Sequence, residues 1–437
     1  MPPQVAKFLY FCIGISKAVL MRYELFIANR LQLGQASQKG SPSLNVAVAG
    51  IVLAIVVMIL SVVIILGFKS EINGKVLALD AHQKISNATL GIDDNYSTVR
   101  GSEVFRNLLG DSSALANIKS MSLIAEKPAI LKTEDDFKGV MFRGVDDGYD
   151  WDFLKSKLDA GRTPNIKSSK SATEIVISKS IANQLHLKVG DKVLTYFIDN
   201  KVKARKNEIV GIYNTDFDTF DDTYILGNIA QIQSVNGWNE DTGNYVAVNL
   251  RNTNGLREQT YALYSHLAKC VYEQQSPTLY NVTNTYRNNI SLFTWLKMLD
   301  MNVVIILALM IVVSGFTLVT ALFMIILERI RMIGLLKSLG ATNGSIRQIF
   351  IYLTQKLIFK SIIWGNLIGI GLALLQKHFH IVTLNPDAYY MPYVPIELNA
   401  TVLIVLNVSV IVISYVTLLA PSYIISTIKP STTIRFE

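Results

Sequence analysis

Charge is scarce in this 437-residue chain. Asp, Glu, Lys and Arg make up 17% of it, against about 25% in ordinary soluble domains. The deficit implies membrane segments without placing them. Cysteine is scarcer still: two residues, Cys12 and Cys270, which excludes a disulfide framework. The five histidines form no cluster at metal-ligand spacing; His378 and His380, two apart, are a weak hint only. Neither Gly-x-Ser-x-Gly nor His-Glu-x-x-His occurs, so no catalytic residue and no metal site is expected. Gly-x-x-x-x-Gly-Lys-[Ser/Thr] is missing too, so the chain has no phosphate-binding loop and no nucleotide cofactor of its own.

What the sequence has in abundance is long apolar runs. A helix needs roughly 20 apolar residues to cross about 30 Å of hydrocarbon. Four windows qualify: 44–68, 301–327, 353–375 and 398–425. The first, second and fourth carry no charge, and the third has Lys356 and Lys360 near its start. The short apolar stretch Phe8–Ile15 cannot span and has no small-residue cleavage site, so it does not read as a signal peptide. Met21 offers an alternative start.

Lys and Arg in short flanks set orientation. Lys7, Lys17, Arg22, Arg30 and Lys39 precede the first span; Arg329, Arg331, Lys337 and Arg347 lie between the second and third. The loop 376–397 has only Lys377. Both termini (segment 1–43, with an amphipathic helix, and segment 426–437) and the loop 328–350 are therefore expected in the cytoplasm. Residues 69–297 and 376–397 are expected outside. The formal charge of +8 is then largely topological, and a nucleic-acid partner loses its support. Cys12 and Cys270 fall on opposite sides.

The segment 69–297 is long enough for a folded domain. Lys69 to Leu79 continues the first span helically, with Ile72, Val76 and Leu79 at helical spacing. Glu174–Ser178, Lys192–Ile198, Asn207–Tyr213 and Tyr245–Leu250 read as strands, and Lys179–Leu185 as a short helix. The fold class is thus an α-helical membrane protein with four transmembrane helices and a large mixed α/β extracytoplasmic domain between the first two. Asp216, Asp218, Asp221 and Asp222 lack the spacing of a calcium loop and read as a solvated acidic loop.

The loop after the second span has its own physical sense. Glu328, Arg329 and Arg331 end the span, and Ile333, Leu335, Leu336 and Leu339 form a short amphipathic helix. Gly340 suits its C-cap, and Thr342 or Asn343 can start the next helix. A rigid helix at the membrane exit can receive force; it also reads as a basic connector on the membrane surface. Gly365 and Gly369 form a Gly-x-x-x-Gly pattern that lets helices approach closely, within one subunit or between two.

The segment Glu328-Arg-Ile-Arg-Met-Ile-Gly-Leu-Leu-Lys-Ser-Leu-Gly-Ala341 resembles the E-R-x-R-E-I-G-x-L-[KR]-A-[LM]-G-A motif of the FtsX-like ABC permease family, the MacB-like, type VII transporters. Met332 and Ser338 depart from it. The ending Pro421–Glu437 is similar to the family's, with Pro430 stopping the helix. Tyr23–Leu31, Gly67-Phe-Lys-Ser-Glu71, Phe142-Arg-Gly-Val-Asp146, Ile181–Asp191 and Ile209–Tyr213 resemble lipoprotein-releasing members. The resemblance implies a bacterial inner-membrane permease that is not an enzyme. It implies a separate cytoplasmic ATPase that binds ATP and Mg, and a second permease protomer, identical or not. Glu328, Arg329, Arg331, Gly334, Leu335, Lys337, Leu339, Gly340 and Ala341 would dock that ATPase. Force would pass to the outer domain, drawing a lipoprotein from among the membrane lipids toward a periplasmic carrier. Lys201, Lys203, Arg205 and Lys206 stand where some relatives carry a carrier-docking hairpin; here the connection is short, and a solvated turn is the other reading. Export of a drug, peptide or toxin, and signalling to a cell-wall hydrolase, are the competing functions within this fold.

Overall fold

Without water to satisfy peptide groups, a segment crossing hydrocarbon bonds its backbone internally, and each apolar run becomes a long helix. A computed structural model describes residues 42–88, 98–109, 116–167, 172–198, 202–273, 278–385 and 389–422. The expected N-terminal helix, Lys201 and most of the C-terminal motif lie outside these residues. Four helices are long and apolar enough to cross a membrane: Pro42–Leu79, Ile290–Glu328, Asn343–Phe379 and Ala400–Ser422. The first has 38 residues, about 57 Å at 1.5 Å each, so it outruns its apolar part. The third begins ten residues ahead of the apolar window because Thr342 caps it, its hydroxyl accepting from the Ser345 amide. Asn399 caps the fourth, accepting from the amides of Thr401 and Val402.

The chain divides into two compact units. One joins the apolar helices; the other comprises Lys69–Leu296 and Val382–Tyr393. Within the helical unit, the first helix is the most enclosed, its residues Ile51, Ile55, Met58 and Ile59 at most 2% exposed. Gly365 and Gly369 of the third helix face it. A Cβ at Gly365 would lie 2.7 Å from Ile55, and one at Gly369 would lie 3.2 Å from Ile59. Gly67 admits another close approach, since its Cβ would lie 2.4 Å from the Pro395 carbonyl. Asn366 and Asn407 bond each other reciprocally at 2.7 and 3.0 Å between the third and fourth helices. An unpaired amide in hydrocarbon is costly, so each asparagine fixes the other.

The outer unit is mixed α/β. Its strands are β1 Gln83–Asn87, β2 Val99–Arg100, β3 Ile118–Lys132, β4 Phe137–Val145, β5 Leu158–Gly161, β6 Glu174–Ser178, β7 Lys192–Phe197, β8 Lys203–Tyr213, β9 Tyr224–Asn228, β10 Thr242–Gly243, β11 Tyr245–Leu250 and β12 Tyr280–Asn284. One face of the design is an antiparallel run, β12-β1-β11-β3. The other is a closed ring: β3 pairs β4, β4 pairs β9, then β6, β8 and β7 follow, and β7 returns to β3. The 15-residue β3 serves both, meeting β11 with its first half and β7 with its last residues. Phe142 and Phe197 fill the ring edge to face, 5.5 Å apart and fully buried. Gly227 makes room for Phe142, since a Cβ there would lie 2.6 Å from its ring. The antiparallel run is covered by the helix Leu256–Tyr272, which packs Leu263 and Leu267 inward.

Candidate coupling surface and stalk anchor

The short helix Ile330–Ser338 follows the second long helix after a break at Arg329. Ile333, Gly334 and Leu336 are buried on its inner face. On the other face, Arg331, Leu335 and Leu339 recur every four residues; Leu335 is 58% exposed and Leu339 75%. Its end is a Schellman motif: the Gly340 amide donates to the Lys337 carbonyl, and the Ala341 amide to that of Leu336. Gly340 takes φ +90°, which only glycine adopts easily. Nothing lies near its missing Cβ, so conformation and not space demands the glycine. Glu328 is exposed, and Arg329, Lys337 and Ala341 are half-buried around this corner. The corner therefore presents a stiff ridge of two leucines and a cation.

Of the basic stretch, Lys203 donates to the Val235 carbonyl, Arg205 donates to the Ser234 hydroxyl at 3.2 Å, and Lys206 is exposed. Two of the three described cations thus turn toward the helix Ile229–Asn236.

At the outer end of the first long helix, sequence reasoning missed an anchor. Arg143 on β4 is 5% exposed. Its Nε donates to Glu126 at 2.6 Å, and its Nη1 to the Leu79 carbonyl, the helix's last, at 3.0 Å. The guanidinium lies 4.2 Å from the centre of the Tyr224 ring, and the Tyr245 hydroxyl donates to Glu126 at 2.9 Å. Burial by itself raises the Glu126 carboxyl; Arg143, Lys84 and Tyr245 reverse this and hold it below the usual carboxylate range. His82 continues the anchor. Its Nδ1 accepts from the Leu250 amide at 2.8 Å, and burial lowers its pKa, so the ring is neutral with its proton on Nε2. The signal in the sequence is Phe142-Arg-Gly-Val-Asp146. Two further positions of it have structural duties: Gly144 abuts Ile229, where a Cβ would lie 2.7 Å from a backbone carbon, and Asp146 accepts from Ser122, Leu123 and Gly148.

The acidic loop is solvated at Asp222, as expected, but not at Asp221. Asp221 is 3% exposed and accepts from the Thr215 hydroxyl at 2.7 Å and its amide at 3.0 Å. Burial, tempered by those bonds, raises its pKa to about 6. Asp222 turns to Ser180. The aspartates diverge into separate hydrogen bonds, and among the described residues no three or more His, Cys, Asp or Glu side chains converge to hold a metal.

Four helices long enough to span, a capped helix between the second and third, and an α/β domain inserted after the first define the class: a polytopic membrane protein with a large inserted α/β domain. Two family models match the chain. The FtsX-like permease C-terminal model covers residues 304–430, and the MacB-like periplasmic core domain model covers residues 46–258. The chain belongs to the FtsX-like ABC transporter permeases with a MacB-like periplasmic domain. It is similar to the lipoprotein-releasing system transmembrane protein LolC of Xylella fastidiosa, 22% identical over 90% of this chain and 93% of that one. It is also similar to LolE of Haemophilus influenzae, 23% identical over 87% and 91%. The periplasmic region of MacB from Actinobacillus actinomycetemcomitans aligns with 49% of this chain and 95% of its own, at 15% identity and a TM-score of 0.33.

Proposed function

We propose that this permease releases lipoproteins from the outer leaflet of the bacterial inner membrane, driven by a separate cytoplasmic ATPase that binds ATP and Mg. The observation that carries the reading is the ridge of Arg331, Leu335 and Leu339. A helix buried on one face, and showing two leucines beside a cation on the other, suits a partner surface with an apolar pocket and acidic groups. In this reading both termini and the 328–350 connection are cytoplasmic, and the α/β domain is periplasmic. Closure of the ATPase moves the corner at Gly340, and the long helices carry that motion outward. The described parts of the first, second and fourth apolar windows hold no Asp, Glu, Lys, Arg or His, which favours handling cargo from the membrane over a polar pore. Lipoprotein cargo is supported by the names of the distant relatives over nine-tenths of the chain.

The second long helix leaves Ile305, Leu309, Val312 and Phe316 more than half exposed. Membrane lipid or a second permease protomer covers that face in the proposed assembly.

The test is charge reversal in the assembled transporter. Arg331→Glu and Lys337→Glu are each expected to abolish ATP-driven cargo release with membrane insertion unchanged; full activity in both variants refutes the docking role. Co-purification from native membranes tests the cargo. A bound lipidated protein supports release, whereas a bound drug, an unmodified peptide or a wall hydrolase replaces it with the export or signalling reading.

A further inference from the structure

Lys75 lies on the outward part of the first long helix and is 5% exposed. Its ammonium donates to two backbone carbonyls, Asp216 at 3.0 Å and Tyr390 at 2.9 Å. These acceptors are unusual. Asp216 has φ +53° and Tyr390 φ +60°, a left-handed conformation that few non-glycine residues adopt. Aspartate tolerates it through local hydrogen bonds, and tyrosine has no such help. Two uncommon backbone turns, from segments remote in sequence, thus aim their carbonyls at one buried cation. Burial lowers the Lys75 pKa, and the Asp216 and Glu71 carboxylates act against that.

The surroundings are built to match. The Tyr390 ring meets Phe217 at 5.1 Å and Trp295, on the second long helix, at 6.3 Å. Met391 is 2% exposed. The segment around Tyr390 closes on itself through the Thr383–Tyr393 bridge and a bond from the Leu384 amide to the Pro392 carbonyl. The outer parts of two long helices, the Asp216–Asp222 loop and the connection between the third and fourth helices all meet at this point.

We propose that Lys75 is a positioning residue that clamps residues 389–393, and through their bridge residues 382–385, to the outer domain as a rigid arm. The clamp's purpose rests on the permease reading above: displacement of the third and fourth helices reaches the Asp216–Asp222 loop through a fixed joint, where a slack connection would absorb it. The clamp itself does not rest on that reading, and it is tested without any ATPase.

Amide hydrogen exchange of the full chain in detergent is compared for wild type, Lys75→Met and Lys75→Arg. Methionine fills the space without donating, and arginine keeps a buried cation with donors. Lys75→Met is expected to speed exchange at the Leu384 and Tyr389 amides by roughly tenfold to a hundredfold, the worth of one or two charge-assisted hydrogen bonds. Amides of β3, β4 and β9 keep their wild-type rates, and Lys75→Arg recovers most of the protection. Unchanged exchange in Lys75→Met, or equal loss in both variants, overturns the clamp, because volume and not charge would then hold the arm. In the assembled transporter, Lys75→Met is expected to hydrolyse ATP at the wild-type basal rate and to lose at least tenfold in cargo release; undiminished release overturns the positioning role. A wild-type chain that shows the protected arm and no ATP-driven activity refutes the permease reading alone.

Discussion

Replacing Arg143 by methionine is expected to destabilise the outer domain by about 3–5 kcal/mol, the loss seen when one partner of a buried ion pair is removed. The structure sets the terms. Glu126 loses its 2.6 Å partner and keeps the Tyr245 hydroxyl, while the Leu79 carbonyl loses its donor. The pH dependence gives a sharper check. In the wild type the Glu126 pKa is depressed. Its contribution is therefore present above the unfolded value of about 4.3 and is lost as pH falls through the folded one. In the variant burial is opposed only by Lys84 and the Tyr245 hydroxyl, so the carboxyl pKa rises from its wild-type position and the folded state takes up a proton more readily. The stability deficit relative to wild type should then shrink between pH 7 and pH 5. Denaturant unfolding of the full chain in detergent, followed by tryptophan fluorescence at both pH values, reads this directly. The double variant Arg143→Met with Glu126→Gln should recover most of the loss, since no buried charge is left behind. A single variant within about 1 kcal/mol of wild type, or a deficit that does not change with pH, would show that the ion pair does not govern this anchor.

Asp221, raised to about 6, works in the opposite sense. An acid whose folded pKa lies above its unfolded one binds protons better when folded, so stability from this group grows as pH falls from about 7 toward about 4. That displacement corresponds to roughly 2–3 kcal/mol; Asp221→Asn should flatten that part of the profile, and an unaltered profile assigns the slope elsewhere. In the helical unit, Gly365→Ala should cost more than Gly369→Ala. The new Cβ at 365 meets the Ile55 Cβ at 2.8 Å, which no rotamer change moves, whereas at 369 the nearest atom is the mobile Ile59 Cδ1. Overpacking of this kind costs roughly 1–3 kcal/mol, and thermal unfolding in detergent that reverses the ranking refutes the account.

Periodicity made the regular elements legible. Long apolar runs mark the four long helices, and Glu174–Ser178 and Tyr245–Leu250 read as strands because apolar and turn residues bound them locally. Ring closure was not legible. β7 returns to β3 by pairing Phe197 with Ala129, and no local pattern announces which remote strand an edge will find. The acidic loop misled for the same reason. Asp221 looks solvated until the fold brings Thr215 over it, whereas Asp222, beside Ser180, stays exposed.

The anchor of the first long helix shows why functional side chains escape such a reading. Local rules place Lys or Arg in the last turn of a helix, where they meet the negative end of its dipole. The last turn before Leu79 has none. Arg143 supplies the charge from 64 positions away, and Lys75, just ahead of that turn, spends its ammonium on carbonyls of two other segments. A helix that capped itself would hold its own end with no reference to the domain around it. One capped by β4, and clamped to the Asp216 and Tyr390 carbonyls, cannot shift without moving them. The missing basic residue is therefore itself informative: a long helix that leaves the membrane and ends uncapped in sequence has its end held by the domain it enters.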